Sequence, residues 1–394
     1  MKKSLEELMP LIDKAYEKSV AIRHEIHQHP ELSGEEKETQ QRITKFLREI
    51  GVTYNDSIDG YGVSALIRGR DPENAIGIRA DIDALPIEEK TDLPFRSVNQ
   101  GVMHACGHDV HTAILLGAAY VLQQIREDLD KSVRLIFEPR EETTGGAKSM
   151  IEAGVLTAPK VDKIIGLHVA PEYPTGVVEF VPGTANAAST EFEVTVYGKS
   201  SHGASPHKGI DTIPCACQMV SALQSIITRR VSPVDQALIT VGMFNSGSKS
   251  NIISNKTVFS GIIRVMQLDN RAFIKNEMEK VCCSIAAAFG CDCDVEFRDS
   301  YPTLENDPEL FEQVKRAISE AIGKENVILN EKASLGTDDF AYFCHAAKGC
   351  YFNLGSHSPD RVEEEMLHNE YVQPDDQCIK TGIIAEVCAV LDIM

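Results

Sequence analysis

The order of apolar patterns between residues 186 and 297 constrains this chain more than any other feature. Thr190–Tyr197 alternates apolar and polar positions as a strand does, and 211–230 carries apolar residues at helical spacing. Ala237–Phe244 and Lys256–Val265 follow as strands, Asn270–Phe289 as a helix and Cys291–Phe297 as a last strand. The order β-α-β-β-α-β is that of a ferredoxin-like α+β domain, which borrows no strand from outside itself. Pro182-Gly183 and Tyr301-Pro302 stand near its two ends as hinge candidates.

On either side the pattern differs. Residues 4–29 have helical spacing, interrupted at Pro10 and ended by Pro30. Ser33-Gly34-Glu35-Glu36 has the form of a capping box for a second helix that stops at Gly51. Strands are expected at Gly62–Arg68, Ala75–Asp81, Ser132–Phe137 and Lys163–Val169, with a helix at His108–Gln124, and the alternation resumes after Asp307. The fold class expected is an α/β domain with a mixed sheet and helices on both faces, assembled from 1–185 and 298–394, with the α+β domain 186–297 inserted into it. A chain of 394 residues exceeds one ordinary core, which agrees with two domains.

Charge narrows the partners. With 39 basic and 59 acidic residues the net charge is -20, which argues against nucleic acid or an anionic membrane as partner. The basic start Met1-Lys2-Lys3 is not followed by the apolar run of a signal peptide. The 11 cysteines are odd in number, and Cys282-Cys283, Cys215/Cys217 and Cys291/Cys293 are each too close in sequence to bridge each other. Free thiols in a reducing cytoplasm are the expectation.

The chemistry concentrates in Met103–Thr112, where one thiol, three imidazoles and one carboxylate fall between His104 and His111. Cys106 and His108 lie where a loop feeds a helix, so both can reach one metal ion. Glu141-Glu142 follows the strand Ser132–Phe137; adjacent carboxylates point opposite ways, so one can bind metal while the other handles protons. His168 ends the strand Lys163–Val169, and ligands of open α/β sheets gather beyond the carboxyl ends of strands. His104, His111 and Asp109 are candidates to support those ligands. The alternative is a cysteine nucleophile, Cys106 with His108 as base. It leaves Glu141, Glu142 and His168 unused, and such partners normally meet from distant segments.

The ordered motifs Arg79–Pro86, Met103–Thr112, Glu141-Glu142, Gly166-Leu167-His168 and Ser201–His207, together with His27-x-His29-Pro30-Glu31 and Leu367-His368, resemble the aminoacylase/carboxypeptidase metallopeptidase clan. Within it the chain is similar to the amidohydrolase branch: hippurate hydrolases, N-acyl-amino-acid amidohydrolases and plant auxin-conjugate hydrolases. The resemblance implies two divalent metal ions, zinc or manganese first and cobalt or nickel next, and an inserted lid that dimerises. It implies Cys106 as a bridging thiolate, His108, Glu142, His168 and His368 as the other ligands, and Glu141 as general base. It implies that His202 reaches the reacting carbonyl, that Asn251 and Arg264 bind a substrate carboxylate, and that Asp83 orients a metal ligand. The activity implied is hydrolysis of N-acyl amino acids by a homodimer; a dipeptidase or carboxypeptidase of the same fold is the nearest rival.

Some positions depart from the family. Asn251-Ile252-Ile253-Ser254 lacks the usual proline, which is expected to loosen that loop. Arg140 stands where a small residue is common and is expected to alter access to Glu141 or its acidity.

Overall fold

The computed structural model describes residues 3–358 and 366–394. It divides into two compact units: Met1–Ala185, Glu305–Lys332 and Asp339–Met394 form one, and Asn186–Leu304 with Ala333–Asp338 form the other. The second unit thus extends past 297 and takes in a short later segment, because Ala187 N donates to the carbonyls of Ser334 and Gly336.

The first unit contains α1 (Leu5–Gln28), α2 (Lys37–Glu49), β1 (Thr53–Ile58), β2 (Gly62–Ile67), β3 (Asp71–Asp81), α3 (His108–Gln124), β4 (Lys131–Glu138), α4 (Ala147–Glu152), β5 (Lys160–Pro174) and β6 (Val178–Phe180). The second unit supplies β7 (Ala188–Tyr197), α5 (Thr212–Arg229), β8 (Ala237–Ser246), β9 (Lys256–Val265), α6 (Leu268–Phe289) and β10 (Asp292–Asp299). The first unit resumes with α7 (Pro308–Ile322), β11 (Val327–Leu329), α8 (Phe340–Ala346), β12 (Lys348–His357) and α9 (Gln377–Ile393).

Its eight strands form one mixed sheet in the order β1-β2-β4-β3-β5-β12-β6-β11. The central strands β4, β3, β5 and β12 are parallel, so their carboxyl ends share one edge. Alternation along them sends Ile76, Ile78 and Ala80, Val133, Leu135 and Phe137, and Ile165, Leu167 and Val169 into one apolar cluster with α1, α3 and α9. Helix α3 is buried on all sides from His108 to Ala119, which its Ala, Leu and Ile content permits. On the other face Gly166 admits Phe340 of α8, whose ring would lie 2.8 Å from a Cβ at that position.

Two expectations fail locally. The capping box at Ser33 does not form: Glu36 caps α2 without a side-chain bond, and Ser33 Oγ donates instead to Asp83 Oδ2 at 2.6 Å. A capping box does form at Ser4 and Glu7, ahead of α1, and α1 runs through Pro10 without a break. Strand β1 was also not expected; its residues are mostly exposed and lack apolar alternation, so pairing with β2 defines it.

The second unit is a four-stranded antiparallel sheet in the order β10-β7-β9-β8. Phe192, Val194 and Val196 point from β7 into one core with Met219 and Leu223 of α5 and Ile274, Met278 and Cys282 of α6.

Helix α9 carries one anomaly in the first unit's core. Glu386 is buried and its Oε2 has no hydrogen-bond partner, so burial raises its carboxyl pKa well above the usual value. The unfolded chain ionises this group near pH 4.3 while the folded chain does not. Its contribution to stability is therefore fully present below the unfolded pKa and is lost as pH rises toward the folded one, at about 1.4 kcal/mol per pH unit. Glu386→Met is expected to flatten the stability–pH curve above pH 5 and to raise the melting temperature most at alkaline pH. An unchanged slope in denaturant titrations from pH 5 to 8 would remove Glu386 from this role.

Candidate metal centre

The shared carboxyl edge of β3, β4 and β5 gathers the expected residues. Asp81 ends β3, Asp83 follows it and Glu141-Glu142 follows β4; His168 does not end its strand as expected, because β5 runs on to Pro174, but it lies just beyond the last β3–β5 pair, Arg79 with Gly166. Cys106 and His108 flank Gly107, which caps α3 with φ 85°. A Cβ at Gly107 would also stand 2.4 Å from Val169 Cγ2, so both conformation and space require glycine between these two residues.

The donor atoms face one another. Cys106 Sγ lies 3.4 Å from His168 Nε2 and 3.3 Å from His368 Nε2. Glu142 Oε1 is 3.3 Å from His368 Nε2 and 3.8 Å from His108 Nε2. Glu141 joins His108 and Glu142 in a group whose ligand atoms all lie within 4.8 Å of one another. His368 adopts φ 64°, left-handed backbone that a side chain rarely takes, and its N–H is anchored on Ala105 O at 2.8 Å.

His108 Nδ1 donates to Asp83 O at 2.9 Å, with Asp83 Oδ1 at 3.2 Å, so the neutral ring carries its lone pair on Nε2, the form that binds a cation. His168 Nδ1 donates to Val169 O at 2.8 Å, so its Nε2 lone pair faces Cys106. His108 Nε2 is buried and has no hydrogen-bond partner among the described residues, and buried Glu142 Oε1 faces it at 3.8 Å. Imidazoles fixed through Nδ1, a thiol and a carboxylate aimed at common space suit a divalent cation.

Electrostatics point the same way. Burial opposes a charge on His108, yet Asp81, Asp83 and Glu142 hold its pKa up to about 10. Burial also opposes ionisation of Glu142, but His368 and His108 outweigh it and bring the carboxyl down to about 2. The pocket therefore seeks positive charge. For Cys106, burial first and then Glu142 and Glu141 push the thiol well above its usual range. That is the reverse of what activates a cysteine nucleophile.

The supporting candidates separate into different tasks. Asp83 reaches three partners: His108, Ser33 Oγ and, through Oδ2, the backbone N–H of Glu142 at 3.1 Å. His111 donates through Nδ1 to Asp81 Oδ1 at 2.6 Å and accepts from Val169 N at 2.9 Å, so it has no nitrogen left for a metal. Asp109 touches none of the candidate ligands; it accepts from Arg23 Nε at 3.0 Å and His27 Nδ1 at 2.9 Å, tying α1 to the start of α3. His104 is buried with both ring nitrogens unpartnered, and burial lowers its pKa to about 4.

Arg140 directly precedes Glu141 in the turn after β4. Its guanidinium pairs with Asp59, its N–H donates to Glu36 Oε1 at 2.9 Å, and its φ is 64°. The residue therefore shapes the turn that delivers Glu141. The motif Arg79–Pro86 also contains Asp81 and Arg79, to which the sequence alone assigns no role. Arg79 pairs with Asp81 and Glu138 at 2.6 Å and with Asp339 at 2.8 Å, wholly buried. The signal was present as charged residues inside an otherwise apolar strand.

In the second unit His202 is exposed, and its Nδ1 accepts from Ala204 N at 3.0 Å, which places the proton of the neutral ring on Nε2 as a donor. Gly203 N bonds Asn251 O at 2.8 Å, so the His202 and Asn251 loops are pinned together. At the position where the family has proline, Ser254 is buried and its Oγ donates to Lys256 O at 2.8 Å. Arg264 is half-buried and donates to Ser189 Oγ.

Comparison with known proteins places these motifs in a wider setting. Residues 77–390 match the model of peptidase family M20/M25/M40. The chain is 37% identical over 370 residues to thermostable carboxypeptidase 1 of Saccharolobus solfataricus, covering 93% of each chain. It is 40% identical over 337 residues to N-acetyl-L-cysteine deacetylase of Bacillus subtilis, covering 86% of this chain and 80% of that one. The crystal structure of the Bacillus subtilis YXEP protein, described as a dinuclear metal binding peptidase of that family, is similar with TM-score 0.81 and 32% identity, over 97% of this chain and 99% of the other.

Proposed function

The chain belongs to peptidase family M20/M25/M40 and is a hydrolase, and from that premise we propose that it is a dinuclear metal-dependent amidohydrolase of N-acyl amino acids. It would release a carboxylic acid and the free amino acid. The observation that carries the reading is the convergence of Cys106, His108, Glu142, His168 and His368, with buried His108 Nε2 lacking a hydrogen-bond partner among the described residues. Similarity to a dinuclear metal binding peptidase and to a deacetylase supports it.

In this proposal Cys106, His108, Glu142, His168 and His368 would hold two divalent ions. When bound, the ions would polarise the amide carbonyl and lower the pKa of a shared water. Glu141 takes a proton from the attacking water and returns it to the departing nitrogen. His202, protonated on Nε2, donates to the developing oxyanion. Asn251 and Arg264 hold the substrate carboxylate, for which a guanidinium offers paired donors. Thiolate and imidazole suit zinc, carboxylate suits manganese, and cobalt and nickel accept the same set.

The second unit is proposed as the lid and as the dimerisation surface, testable by sedimentation at several concentrations. Among the described residues no helix is long and apolar enough to cross a membrane. Eleven free thiols support a reducing cytoplasm as the compartment.

A second reading has its own support, since carboxypeptidase 1 matches over 93% of this chain. A panel of N-acyl amino acids and dipeptides, run against metal-reconstituted enzyme, separates the two. The proposal expects kcat/KM for the best acyl amino acid to exceed that for any dipeptide by more than tenfold. The reverse order would make the enzyme a peptidase.

A further inference from the structure

Of the eleven cysteines six lie in the second unit, and their settings differ. Cys215, Cys282 and Cys291 are buried in its core. Cys217 is exposed on α5. Cys283 is exposed on α6, and Cys293 is half-buried on β10, which packs against α6. The Sγ atoms of Cys283 and Cys293 lie 3.9 Å apart. Helix α6 and β10 are joined by a tight turn in which Gly290 has φ 72°, so the pair is held face to face by short-range structure.

We propose that Cys283 and Cys293 form a redox-modification site, a dithiol that a low-molecular-weight disulfide converts into an intramolecular disulfide tying α6 to β10. Sulfurs in contact need only close to about 2.05 Å, within reach of a side-chain rotation at the exposed Cys283. Burial first, and the neighbouring Cys283 thiol second, push Cys293 up to about 12. The exposed Cys283 therefore reacts first and the half-buried Cys293 second.

The exchange balances. Cys283, losing its proton, attacks one sulfur of the oxidant, breaks its S–S bond and releases one thiolate. Cys293 then loses its proton and attacks the Cys283 sulfur of the mixed disulfide, releasing the second thiolate. The two thiolates take up the two protons. The protein loses two electrons and two protons, and one disulfide becomes two thiols.

Cys217 is the internal control, because it is also exposed but stands outside the Cys283–Cys293 sulfur contact. The test is oxidised glutathione added to the full-length, metal-loaded protein, followed by peptide mapping without reduction. The proposal expects a Cys283–Cys293 crosslink, a persistent glutathione adduct on Cys217, and a crosslinking rate unchanged by tenfold dilution of the protein. Cys293→Ser should leave glutathione on Cys283. A glutathione adduct that persists on Cys283 in the wild type, a crosslink from either residue to another cysteine, or both thiols still free once Cys217 is modified would each overturn it.

Discussion

Glu141→Gln lowers kcat by about 10²–10⁴-fold while metal content stays near that of the wild type. The amide side chain keeps the size and the buried setting of Glu141 but cannot accept a proton. The neighbouring Glu142 cannot substitute, because His368 and His108 hold it ionised and aimed at the ligand cluster. In the proposal the adjacent positions divide labour; both follow the turn at Arg140, which has φ 64°. Metal analysis beside steady-state kinetics checks this. A variant that keeps activity within tenfold of wild type would take Glu141 out of the base role, and one that loses its metal would make it a ligand.

Asp83→Ala weakens metal affinity by about 10–100-fold. The carboxylate fixes two candidate ligands at once, since it faces His108 Nδ1 and accepts from the backbone of Glu142. The backbone carbonyl of residue 83 still accepts from His108 in the variant, so the ring keeps its tautomer. The loss then falls mainly on Glu142 and on the tie to Ser33. Competition with a chelator of known affinity measures the change, and excess metal should restore most of kcat. Unaltered affinity would reduce Asp83 to a packing residue.

How much of this was legible depended on what carries each signal. Helix α3 and strand β9 have the bounds their apolar spacing implies, because one is buried on all faces and the other lies centrally in its sheet. Strand β1, exposed and polar, carries no such pattern. Ser33 and Glu36 match a capping sequence, yet tertiary structure claims Ser33 for Asp83. The candidate ligands were legible because Cys, His and Glu at strand ends have few other reasons to cluster. His368 was different: it comes from a distant loop with no local pattern, and only the family resemblance pointed to it. Asp109 looked like a support for the ligands by adjacency alone. Its position on α3 sends it to Arg23 and His27 instead. Arg79 and Asp81 show the converse: their charges stand out in an otherwise apolar strand, but Glu138 and Asp339, which complete the cluster, lie on separate segments that local sequence does not connect.

Metal held by Cys106 and its neighbours is the premise on which the proposed activity depends. The most direct measurement is the metal content of gently purified protein, taken with its turnover before and after chelation, for the wild type and for Cys106→Ala. The prediction is about two divalent ions per chain, activity lost on chelation and restored by adding divalent metal, and less metal in the variant. A metal-free wild-type protein with full activity would contradict it.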